Sequence, residues 1–77
     1  MLYIYKNKQI ELDDVLLKKY KHFVGMDLQD PEIELYIHNY LARNKEKGLK
    51  EEELTENELK EWIEHSMKLD IQIREDP

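Results

Sequence analysis

The stretch Leu2-Tyr3-Ile4-Tyr5-Lys6-Asn7-Lys8-Gln9-Ile10-Glu11-Leu12 decides the fold class. Residues 2–6 and 9–12 favour β structure and alternate, with Ile10 and Leu12 on one face, and Asn7-Lys8 offers a tight turn between them. The reading is an N-terminal β-hairpin, which argues against an all-helical chain. Along the first strand Tyr3 and Tyr5 lie on the face opposite Leu2 and Ile4. If the aliphatic side packs on helices, the two rings face outwards or towards a second layer.

Beyond the hairpin the apolar period becomes helical. Asp13 or Asp14 can cap a first helix reaching Val24, with Leu16, Tyr20 and Phe23 recurring beside Leu17 and Val24, and Gly25 suits the left-handed residue that stops it. The second helix has a clear start, with Asp30 as N-cap, Pro31 at the first helical position, and Glu32 and Glu34 in the first turn. Its stripe is Ile33, Tyr36, Ile37, Tyr40 and Leu41, and Arg43, Lys45 and Lys47 complement the helix dipole before Gly48. A third begins at Thr55, where Thr55-Glu56-Asn57-Glu58 reads as a capping box and Leu54 can pack on Leu59. Leu59, Trp62, Ile63 and Met67 give its apolar face.

Past Lys68 the pattern alternates again through Leu69, Ile71 and Ile73. That predicts a short C-terminal strand over 69–74, which must pair with the hairpin. The expected fold is α+β in the order ββαααβ, one domain over residues 1–77, with three helices against a small sheet. The competing architecture is a three-helix bundle whose extended termini pair across a dimer.

Seventy-seven residues leave room for one core and no separate catalytic domain. Cysteine is absent, which excludes disulfides, thiolate metal sites and a cysteine nucleophile. No basic leader with a long apolar run opens the sequence and no run of apolar residues is long enough to span a bilayer, so a cytoplasmic, non-membrane protein is expected. His22, His38 and His65 fall on three different helices without chelating spacing, so neither a metal nor a cofactor is expected. Ser66 and Thr55 are the only hydroxyl nucleophile candidates, and Thr55 is better explained as a cap. Gly25 and Gly48 are isolated, so no phosphate-cradling loop is present. The chain reads as a non-enzyme.

The net charge is −6, and its excess sits in the last third: residues 51–77 carry ten acids against three bases. Seven of those acids, Glu51, Glu52, Glu53, Glu56, Glu58, Glu61 and Glu64, crowd into fourteen residues with Lys60 as their only counter-charge. Acids favour a helix N-terminus and solvated faces are usually charged, so the cluster has an ordinary explanation. Its sharper reading is a docking surface for a basic protein, with mimicry of a nucleic-acid strand as an extension. The second helix is also apolar on two sides, since Leu35 and Ala42 project opposite Ile33 and Ile37. Either that helix is central and both sides are covered, or Leu35, Ala42 or Tyr3 and Tyr5 belong to an interface.

The residues expected to meet a partner are therefore Glu51, Glu52, Glu53, Glu58, Glu61, Glu64, Tyr3, Tyr5 and Leu35. Short length, the lack of catalytic machinery and abundant Lys, Ile and Tyr resemble, in a general way, the small accessory proteins of phages and mobile elements. That resemblance implies an inhibitor or adaptor acting on a protein that holds nucleic acid. The rival is a helix-turn-helix regulator placing Lys18, Lys19, Lys21 and Arg43 on phosphates, disfavoured because its recognition helix would open with acids. A small chain without disulfide or metal often gains stability by self-association, so a homodimer is the other expected partnership.

Overall fold

The computed structural model describes residues 1–44, 48, 50 and 53–75. Two strands, β1 (Leu2–Tyr5) and β2 (Lys8–Glu11), form an antiparallel hairpin in which Tyr3 faces Ile10 and Tyr5 faces Lys8. The turn is Lys6-Asn7, one residue earlier than expected, and both residues take positive φ, 44° and 70°. That geometry belongs to the tight turn whose twist matches the strands, and Asn tolerates it better than Lys. Because paired residues share a face, Leu2 lies with Glu11 and Ile4 with Gln9. The aliphatic side chains of β1 therefore face out and its tyrosines face in, packed on the core with buried Ile10 and Leu12.

Helix α1 runs Asp14–Val24, with the Asp13 side chain accepting from the Val15 amide at 3.0 Å. It ends at Gly25, φ 89°, whose N–H reaches Lys21 O at 2.9 Å. Helix α2 runs Asp30–Arg43. Its N-cap is Gln29 rather than Asp30, and the Gln29 carbonyl takes the Glu32 and Ile33 amides at 3.1 Å. It stops well short of Gly48 because Asn44 caps it, the Asn44 side-chain amide donating to Tyr40 O at 2.8 Å. Lys45 and Lys47, expected in its last turn, lie outside the described residues.

Helix α3 spans Glu56–Glu75. Thr55 Oγ1 accepts the Glu58 amide at 3.1 Å and contacts the Glu58 carboxylate at 3.2 Å, and Leu54 and Leu59 are both buried beside this cap. The expected strand over 69–74 is instead the last turns of α3. Leu59, Ile63, Met67 and Ile71 recur every four residues along one buried stripe, while Leu69 and Ile73 lie on another side and are exposed. Residues that alternate in sequence thus straddle two helical faces, and with neither Gly nor Pro after Lys68 in α3, nothing interrupts the helix. The fold is α+β in its coarser form, with a two-stranded sheet and three helices among the described residues.

The central element is α3 rather than α2: α1, α2 and β2 all pack on it. Leu35 and Ala42 both remain exposed, Ala42 at the edge of a groove shared with α3. Among the described residues, no helix is long and apolar enough to cross a membrane.

Candidate protein-binding surface

Two α3 carboxylates that sequence reasoning grouped together have opposite fates. Glu64 is only 17% exposed, lies 2.7 Å from Lys60 Nζ and accepts the Asp13 amide at 3.0 Å. Lys60 also donates to Glu11 O at 2.8 Å. Glu64 and Lys60 thus tie α3 to the junction of β2 and α1, so Glu64 is occupied within the fold. Glu61 is exposed, meeting the Asn57 amide at 3.4 Å. Glu58 is half-buried at the cap, with the Tyr40 hydroxyl at 3.5 Å. Glu53 is exposed just before Leu54, while Glu51 and Glu52 lie outside the described residues.

Glu58, Glu61, Trp62 and His65 share a face of α3, being spaced by three, one and three residues. Tyr40 of α2 completes the face, and these five side chains line a pocket of about 270 Å³. The Tyr40 and Trp62 rings lie 5.0 Å apart at 41°, and His65 stands 5.7 Å from Trp62. The Trp62 indole N–H donates to the Tyr36 carbonyl, which fixes the ring against α2. Arg43, which does not line this pocket, places its guanidinium carbon 5.7 Å from the Trp62 centroid, so the ring already engages one cation of the chain itself. Desolvation, with the Glu58 carboxylate beside it, raises the Tyr40 phenol above its ordinary pKa, keeping it a neutral donor.

The arrangement can hold a positively charged side chain, with aromatic faces for its stem and carboxylates for its head. Sequence reasoning named Glu58 and Glu61 but missed Tyr40, Trp62 and His65. The legible signal was Trp62 standing four residues after Glu58 and three before His65. Tyr3 and Tyr5 are elsewhere, on the inward face of the hairpin. Desolvation raises the Tyr3 phenol too, with Asp30 and Glu34 adding to the effect. Tyr5 and Leu35 meet along a groove of about 520 Å³ between the turn and α2, which acids of α3 do not line.

Three of the four cations of the DNA-binding reading are engaged within the chain. Lys19 pairs with Glu75 at 3.7 Å, Lys21 with Asp27 at 3.6 Å, and Arg43 belongs to the Trp62 cluster. Both α1 and α2 pack on α3, whereas a helix-turn-helix relies on its two helices packing together. Among the described residues, no group of three or more His, Asp or Glu side chains is placed to hold a metal.

Comparison with known proteins gave no match, whether to family models, to curated proteins or to solved structures, so the reading of this surface rests on its own geometry.

Proposed function

We propose that the chain is a non-enzymatic interaction module that binds a basic segment of a protein partner through the pocket formed by Tyr40, Glu58, Glu61, Trp62 and His65. The observation that carries this reading is the conjunction of two rings in tilted contact with two carboxylates at one small opening. Charge alone would not suffice, because exposed ion pairs contribute about 0–1 kcal/mol each. A cation over Trp or Tyr adds roughly 0.5–1 kcal/mol at an exposed site, and more as the site dries. One Lys or Arg in the pocket therefore gives weak binding, and useful affinity requires a partner with further cations near Glu53 and Glu56.

A partner of that kind includes proteins that normally hold nucleic acid, and the chain would act on them as an inhibitor or adaptor. Strand mimicry has less support than side-chain capture, since Glu64 faces Lys60 and the Asp13 amide rather than a partner. The expected setting is the cytoplasm. A second copy of the chain is the other expected partner, through a different surface.

Trp62 is the only tryptophan, so its fluorescence reports on the pocket directly. Titration with an octa-arginine peptide at low salt should change that emission saturably, and Glu61→Gln should weaken the apparent affinity several-fold. An unchanged emission up to millimolar peptide, with the fold intact, would remove the proposal.

A further inference from the structure

The outer edge of β1 is the second surface with an identifiable occupant. Met1 and Leu12 exchange backbone hydrogen bonds at 2.8 and 3.1 Å, extending the hairpin ladder by one pair. In an antiparallel ladder bonded and unbonded pairs alternate. Residues 1, 3 and 5 therefore turn their backbone groups to β2, and Leu2 and Ile4 turn theirs the other way. Among the described residues β2 is the only sheet partner of β1, so those amides and carbonyls line an open edge. The same two residues carry exposed apolar side chains, 53% and 64%.

Natural sheets guard such edges with lysine, proline or a bulge. Leu2-Tyr3-Ile4-Tyr5 has none of these, in a chain where 39% of residues are charged. The hairpin is also polar from end to end. Lys6 sits in its turn and Lys8 just after it, while at its open end Glu11, Asp13 and Asp14 outnumber the Met1 ammonium, which lies 3.2 Å from Glu11 and 2.7 Å from Asp14.

We propose that β1 pairs with β1 of a second copy, antiparallel about a two-fold axis at Tyr3, making one four-stranded sheet. In that register Leu2 lies opposite Ile4 of the other copy, and each such pair exchanges two backbone hydrogen bonds. The turn end of each hairpin then lies beside the acidic end of the other, so the charges that would repel in a parallel arrangement attract in this one. Leu2 and Ile4 of both copies form a continuous apolar stripe on the outer face. A foreign strand would satisfy the backbone edge, and a second copy brings in addition the matching reversal of charge.

Sedimentation of the whole chain tests this independently of the pocket. The weight-average mass should rise from 9.4 kDa towards twice that value across about 10 μM to 1 mM. Ile4→Lys should move the midpoint upwards about tenfold, because both symmetric Leu–Ile pairs are lost. Ile73→Lys, equally charged and 69% exposed near the end of α3, should leave it within about twofold. Hydrogen exchange on the unmodified chain gives a second reading, in which the Leu2 and Ile4 amides gain protection as concentration rises. A monomeric mass throughout overturns the proposal, as does a dimer in which those two amides stay unprotected.

Discussion

Replacing Ile71 and Ile73 separately by alanine should give opposite results. Ile71 is 3% exposed beside Met67 and Leu16, whereas Ile73 is 69% exposed near the end of α3. Ile71→Ala removes three buried carbons, worth roughly 2.4 kcal/mol in transfer and a further cavity contribution, for about 2–4 kcal/mol in all. Ile73→Ala removes little buried surface, and alanine's better helix propensity offsets much of that, so its effect should fall within about 0.5 kcal/mol. Urea unfolding followed by circular dichroism would measure both, and far-ultraviolet spectra would confirm that Ile73→Ala keeps its helix content. A strand over 69–74 would put Leu69, Ile71 and Ile73 on one face. Comparable losses at Ile71 and Ile73 would therefore refute the helical assignment.

Two other outcomes follow from the same geometry. Glu64→Gln should cost about 1–3 kcal/mol, since the charged acceptor of the Asp13 amide and of Lys60 is lost, while Glu61→Gln should stay within about 0.5 kcal/mol. Equal stabilities by thermal melting would show that Glu64 is as free as Glu61. Burial, aided by hydrogen bonds with Asp70 and Tyr20, raises the Tyr36 phenol far above its ordinary value, so the folded state favours the neutral form. Stability from this group is complete below pH about 10 and falls as pH rises beyond it, because the unfolded chain ionises first. Phenolate absorbance should accordingly show at least one of the five tyrosines ionising only with loss of fold. A single ordinary titration of all five in the folded protein would contradict that.

Local signals were legible in the sequence because their causes are local. Asp13, Gly25, Pro31 and Thr55 mark helix ends through bonds or backbone preferences within a few residues, and the structure places boundaries at or next to each. The outward face of β1 was deducible as well: burying Ile10 and Leu12 forces their cross-strand neighbours inward, and those neighbours are on the tyrosine side. The C-terminal helix was harder, because alternation at 69, 71 and 73 is compatible with two sides of a helix, and the choice rests on Met67 and Ile71 continuing a stripe begun at Leu59. Nothing in the sequence marks Lys6 as a positive-φ residue. The acids were visible but their roles were not. Glu64 is claimed by an amide 51 positions away, and Trp62 gains its aromatic neighbour from another helix.

The most direct test of the account is a nitrogen–proton correlation spectrum of the chain titrated with the arginine peptide. The single Trp62 indole signal, with the Glu61 and His65 amides, should move first and saturate together, while Leu2, Ile4 and Leu35 stay in place. Shifts centred on Lys18 and Lys21, or spread evenly over the surface, would contradict the assignment of the pocket between α2 and α3 as the partner's seat.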